Sequence, residues 1–204
     1  MKLTRLLFIF LLIFSADVVA IPQNSFAEAE NAVNIGAKEL VGPYTSVGGV
    51  VSASVVFVEY ERLTSNQFSL VGRIGQLDYK YSGYYEEGDG PGVEVGFRFY
   101  PDGNGMKGFY LGANGGFWFT DWTRRWDVGT SYETKHSGSS TAFDVNFELG
   151  VRLGSEKIAI IPTFNIGNSL CISGECSRRT RFSDLGFSLG FNAIGLGLAL
   201  GIVF

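Results

Sequence analysis

Residues 142–154 read Ala-Phe-Asp-Val-Asn-Phe-Glu-Leu-Gly-Val-Arg-Leu-Gly. Phe143, Val145, Phe147, Leu149, Val151 and Leu153 alternate here with Asp144, Asn146, Glu148, Gly150 and Arg152. Successive side chains of a strand point to opposite faces, so a period of two sustained this long specifies a β-strand with one apolar and one polar side. Working outward, Val93, Val95, Phe97 and Phe99 repeat the pattern against Glu94, Gly96, Arg98 and Tyr100. Phe109, Leu111, Ala113, Phe117 and Phe119 oppose Tyr110, Asn114 and Thr120, while Phe68, Leu70 and Ile74 oppose Ser69 and Arg73. Ile158, Ile160, Phe164 and Ile166 continue the theme, and no stretch of comparable length carries a helical stripe.

Strands beginning near Val33, Gly49, Phe68, Val93, Phe109, Ala142, Ile158 and Asp184 make eight. Their connections alternate in length. Leu63–Asn66, Pro101–Lys107 and Ser155–Glu156 are short, and the second carries Asp-Gly and Asn-Gly turn chemistry. Residues 82–92, 124–140 and 170–181 are long, polar and rich in Gly, Ser and Tyr, as expected of exposed loops. The carboxyl end needs separate weighing, because Leu185–Phe204 is twenty residues without a charge and contains two Gly-x-x-x-Gly spacings that suit a membrane helix. Against the helix, Ile194, Leu196, Leu198, Leu200, Ile202 and Phe204 alternate with small residues, and the phase reverses near Asn192, which predicts a bend there. Pro162 inside a strand predicts a bulge.

The amino terminus places the chain outside the cytoplasm. Lys2 and Arg5 precede nine unbroken apolar residues, Leu6–Phe14, and small residues follow, which is the pattern of a secretory signal. Nine residues are too few to span a bilayer as a helix. Cleavage after Ala27, or after Ala20, suits the small-residue rule, and the first leaves a single domain over residues 28–204. In an oxidising compartment Cys171 and Cys176 are disulfide candidates, with two unpaired thiols as the alternative. A zinc site lacks ligands, since the only histidine, His136, is remote in sequence. Glycine at 28 of 204 residues with only 5 prolines excludes a disordered linker and a collagen repeat. A net charge of -4 without clustered Lys and Arg argues against nucleic acid as a partner. No residue pattern calls for a cofactor.

A soluble sandwich also alternates, so the deciding point is what each face carries. Here one face is large and aromatic, whereas the other carries Arg73, Glu94, Arg98, Asp144, Glu148 and Arg152. An apolar belt outside and a polar lumen inside describe a transmembrane barrel, and lipid forbids an open sheet edge. The expected fold is therefore an all-β, closed antiparallel up-and-down barrel of eight strands. Those six charged residues form an expected lumen network, joined by Glu59 if it faces inward, although Val55 and Phe57 share its parity. Tyr60, Tyr79, Tyr81, Tyr84, Tyr85, Trp118, Trp122 and Trp126 are expected to form girdles at the headgroups.

With its signal segment, short turns set against long loops, and final aromatic Phe204, the chain resembles the small bacterial outer-membrane β-barrels of the OmpA, OmpX and OmpW type. Val58-Glu59-Tyr60-Glu61-Arg62 before Phe68-Ser69-Leu70, and Gly96-Phe97-Arg98-Phe99-Tyr100, are similar to segments of uncharacterised members of that class. The resemblance implies residence in the outer membrane among lipid and lipopolysaccharide, periplasmic termini, and Phe204 as the signal read by the barrel-assembly machinery. It implies a non-enzymatic structural or surface-interaction role, with external partners met through loops 82–92, 124–140 and 170–181. Two alternatives stand beside it. One is a lipid-A or phospholipid-modifying enzyme using His136 with Glu133, Ser137 or Ser139, although Gly138 breaks the deacylase spacing of His and Ser. The other is a narrow conduit for small apolar molecules, which a gap beside Pro162 or Asn192 would favour.

Overall fold

Residues 31–44, 49–81, 85–103, 105–155, 157–175 and 193–204 are described by the computed structural model. The alternating segments form β1 (Asn31–Tyr44), β2 (Gly49–Ser65), β3 (Phe68–Tyr81), β4 (Glu86–Phe99), β5 (Gly108–Trp126), β6 (Thr134–Gly154), β7 (Ile158–Gly174) and β8 (Ala193–Val203). Each pairs antiparallel with its sequence neighbour, and β1 pairs with β8 to close the ring. Val203, within the span where a membrane helix competed, ends a strand held by β1 on one side and β7 on the other.

The registers fix the geometry of closure. Starting from Leu153 on β6, paired residues run Ile160, Leu200, Ile35, Val58, Ile74, Val93 and Phe117 and return to β6 at Phe143. The circuit is thus displaced ten residues along the strand, which for eight strands demands a tilt in the usual range of roughly 35–45°. Every residue on this path points outward. At about 3.4 Å per residue and that tilt, the apolar run from Phe109 to Phe119 on β5 stands about 25 Å tall, the height of an outer-membrane hydrocarbon band.

Glycine lets the inner face carry large rings. Gly36 lies directly across the ladder from Phe57, where an added Cβ would stand 2.6 Å from the ring. Gly92 lies across from Trp118 in the same relation, and a Cβ there would collide with the indole. A bulky inward side chain on one strand therefore lies flat over the bare backbone of the next.

Two expectations change. The described parts of the segments 82–92, 124–140 and 170–181 are largely strand, because β4 begins at Glu86, β5 runs to Trp126, β6 begins at Thr134 and β7 runs to Gly174, while 82–84 and 176–181 lie outside the described residues. Polar composition reflects exposure to water and does not prevent the ladder from continuing. Pro162 causes no bulge: its ladder to β6 skips two pairs and resumes in the same register, Gly150 with Thr163 and Leu153 with Ile160. The missing N–H interrupts one side only, and Pro162 still pairs with Leu198 of β8. Pro91 does the same between β4 and β5. The expected start of the last strand at Asp184 and the bend at Asn192 lie outside the described residues, as do residues 1–30 with the signal segment.

Candidate functional site: the filled lumen

Nearer the end that holds Asn31 and Phe204, the lumen carries a chain of alternating charges. Lys38 Nζ reaches Glu94 at 3.2 Å, and Glu94 also accepts from Arg73 Nη1 at 2.8 Å. Arg73 continues to Glu59 and, at 3.1 Å, to Glu148. Arg98 meets the same two carboxylates, at 2.9 Å and 2.8 Å, and reaches Glu61 at 2.6 Å. Glu61 finally takes Arg152. Four cations and four carboxylates thus alternate from Lys38 to Arg152, contributed by β1, β2, β3, β4 and β6.

Neutral donors satisfy the remaining oxygens. Tyr100 and Ser69 hydroxyls donate to Glu61 at 2.6 Å, Tyr110 donates to Glu148 at 2.7 Å, and the Asn34 amide donates to Glu59 at 2.6 Å. Arg73 stacks over Phe57 and Arg98 over Tyr110, at 4.4 and 4.5 Å. Charges taken from water need this kind of saturation, since desolvation of an unpaired ion is costly.

The structure brings Arg73, Glu94, Arg98, Glu148 and Arg152 into one network. Asp144 lines the same interior farther out, where it accepts from Ser169 at 2.5 Å. Glu59 faces inward alongside Val55 and Phe57. Lys38 and Glu61, at the centre of the chain, were not singled out from sequence. Their signal was parity alone: Lys38 alternates with outward Ala37 and Glu39, and a charge on both sides of the strand conceals which side is the lumen.

Toward the other end, rings and aliphatic side chains fill the bore. Val51, Val55 and Phe57 from β2, Leu77, Tyr79 and Tyr81 from β3, and Trp118 and Trp122 from β5 are all buried. This corrects the expected girdle: Tyr79, Tyr81, Trp118 and Trp122 share the parity of the lumen side, and position near a strand end does not make a ring face lipid. Tyr85 is exposed and Tyr60 half-buried, and the outer face takes its aromatic character from phenylalanines such as Phe68, Phe97, Phe117 and Phe147. At the mouth, Arg124 is buried, donating to Glu86 at 2.8 Å through Nε. Its guanidinium stacks on Trp122 and Trp126 at 4.8 and 5.5 Å, and Tyr79 donates to the same Glu86 at 3.0 Å. An arginine expected to meet external partners is instead folded into the lumen.

The remaining candidates stand apart. His136 is exposed, with Nε2 2.9 Å from Glu175 and its ring 5.5 Å from that of Trp122. Ser137 and Ser139 lie on the opposite face of β6 from His136, and Ser137 pairs with Thr123 at 3.0 Å. Glu133 accepts from the Gly129 N–H. Adjacent positions on a strand diverge, so this group does not converge on one point. Cys171 sits half-buried near the end of β7 away from the chain termini, and Cys176 lies outside the described residues. Among the described residues no cluster of three or more His, Cys, Asp or Glu is placed to hold a metal ion.

Comparison of the fold agrees with this architecture. The translocator domain of the autotransporter NalP from Neisseria meningitidis aligns over 98% of this chain and 96% of its own, with TM-score 0.53 and 11% identity. Ail, the attachment invasion locus protein of Yersinia pestis, aligns over 87% of this chain and 100% of its own, with TM-score 0.51 and 11% identity. The chain has the fold of a small outer-membrane β-barrel. No protein-family model and no curated protein matches its sequence.

Proposed function

We propose that this small outer-membrane barrel is a non-enzymatic envelope protein that works through its surface and not through its bore. The observation that carries the reading is the filled lumen: the charge chain from Lys38 to Arg152 and the ring layer around Trp118 leave side chains where a diffusion pore would run. An eight-stranded barrel has room inside for side chains or one small ligand. On this reading residues 1–27 direct export, the mature chain lies in the outer membrane among lipid and lipopolysaccharide, and both termini are periplasmic. Phe204, exposed beside Asn31 at the closing seam, serves as the assembly signal. The charge network acts as a structural plug, Cys171 and Cys176 form a disulfide, and the strand extensions above the band present the partner surface. Beside Pro162 the β7–β8 ladder is continuous and the β6–β7 ladder resumes in register after two skipped pairs, which lends the conduit reading little support, and the divergent His136 group lends none to the enzyme reading.

The test is fractionation of envelopes, electrophoresis with and without boiling, and conductance in planar bilayers. Heat-modifiable protein in the outer-membrane fraction with no sustained unitary conductance is expected. A steady ohmic channel, or protein confined to another fraction, overturns the proposal.

A further inference from the structure

The outer face is not uniformly apolar. Heights around the barrel follow from the registers, because the line of paired residues climbs ten residues per circuit toward the outer end. Correcting for that climb puts one outward residue of each strand within about 4 Å of a single level in the outer part of the band. On β4 to β8 that level is held by Val93, Phe117, Val145, Ile166 and Ile194. On β1 and β3 it is held by Glu39 and Gln76, and on β2 it falls between Val56 and half-buried Ser54, so three consecutive strands turn polar at or just above that level.

Glu39 is the sharpest member. It is exposed on the outer face, pairs directly with Leu196 of β8, and has exposed Val41 and Ile194 farther out than itself. No side-chain hydrogen bond or ion pair joins its carboxylate to another described residue. The next outward positions on β2 and β3, Ser52, Asp78 and Lys80, are polar and exposed as well, so the break in the belt runs continuously to the water. On β2 the outward apolar run described is Tyr60, Val58 and Val56, about 10 Å tall against about 25 Å on β5.

Resting on the outer-membrane reading, we propose that the β1–β3 wall draws the outer leaflet's headgroups and their water down to Glu39, Ser54 and Gln76, so that the bilayer is locally thin on this side alone. A carboxylate facing hydrocarbon is expensive, whereas lipids accommodate a short apolar wall at modest cost by thinning. Pairing with a second copy about a two-fold axis would set Glu39 against Glu39 in a low dielectric, so like charge disfavours that cover. The occupant is the headgroup layer.

The test places nitroxides singly at Ser54→Cys, Gln76→Cys, Val145→Cys and Phe147→Cys, in a chain whose Cys171 and Cys176 are serine, in phosphatidylcholine bilayers. Accessibility to a water-soluble nickel chelate relative to oxygen is expected to be about threefold or more higher at 54 and 76 than at 145, which lies level with them. Equal, oxygen-dominated values at all four sites overturn the proposal while leaving the barrel intact. Chelate-dominated values at Phe147 overturn the barrel reading itself. Labels reached by the chelate in pure bilayers yet hidden from both agents in native outer membranes mean that a protein covers the wall, which also overturns it. A second measurement keeps the native cysteines: Glu39→Leu/Ser54→Leu/Gln76→Leu is expected to flatten the loss of folding yield as lipid chains lengthen, and an unchanged slope contradicts the thinning.

Discussion

The two halves of the lumen fill the same bore by opposite chemistry. The half near the termini is a chain of eight charges, each held by partners from other strands, while the other half, outer on the proposed orientation, is a stack of rings and aliphatic side chains. An ion pair is satisfied only when both strands sit in the correct register, so the charged half specifies alignment as well as filling space. A ring asks only for volume, and the glycines across the ladder supply it. The halves should therefore fail differently when cut.

The largest effect is expected from Arg98→Met. It keeps most of the side-chain volume but removes one of the two arginines that each of Glu59, Glu61 and Glu148 meets, all three buried. Leaving buried charge uncompensated costs about 3–5 kcal/mol, measurable as a lowered urea midpoint for unfolding from bilayers followed by tryptophan fluorescence. A loss below about 1 kcal/mol would mean that water already screens the network.

Trp118→Ala is expected to cost about 3 kcal/mol, the lower end for removing a large buried ring. The outer half is distinguished by what repairs it. Gly92→Val alone should prevent closure by colliding with the indole, whereas Gly92→Val combined with Trp118→Ala should recover heat-modifiable protein, because the added methyls enter the space the ring left. No volume change should repair Arg98→Met. If the double variant is worse than either single one, the two positions do not share a cavity.

This contrast also explains what the sequence disclosed. Alternation in residues such as Phe143–Leu153 specifies strands, outward faces and closure, because period and burial are local properties. The network's charges on Arg73, Arg98 and Glu148 stood out because each sits between outward apolar neighbours. Lys38 escaped because its strand carries Glu39 on the other face, and Glu61 because Arg62 flanks it. The rings were misplaced for a different reason. Tyr and Trp suit both a headgroup girdle and a packed interior, and only parity carried through the whole strand separates the two. Loop composition misled as well: Glu86–Gly92 and Thr134–Ser140 are hydrophilic because they stand in water, yet their backbones pair throughout.

Smaller effects should appear at the mouth. Glu86→Gln keeps the shape but removes the charge that Arg124 and Tyr79 address. A hydrogen bond to a charged group is worth about 1.5–3 kcal/mol, and because the glutamine oxygen still accepts from Arg124 the observed loss should be about 1.5 kcal/mol. The same substitution in the charged half, Glu61→Gln, should cost more, since Arg152 loses the carboxylate it meets and Arg98 loses one of three. Comparing the two urea midpoints measures how far the dryness of the lumen changes from one end to the other.

The smallest effect is expected from His136→Ala. The ring lies above the packed layers, more than half exposed, with an equally exposed Glu175 as its charged neighbour. Exposed pairs of this kind contribute between nothing and about 1 kcal/mol, and the edge contact with Trp122 at 5.5 Å adds little where water competes. Stability should change by less than about 0.5 kcal/mol, and heat modifiability should persist. Lipid-A acylation, read by mass spectrometry in cells carrying the wild type, His136→Ala or no protein, should be the same in all three. A change that requires the wild-type histidine would move the working part of the molecule from its surface to the rim of β6, and the filled lumen would then serve as the rigid support of a site.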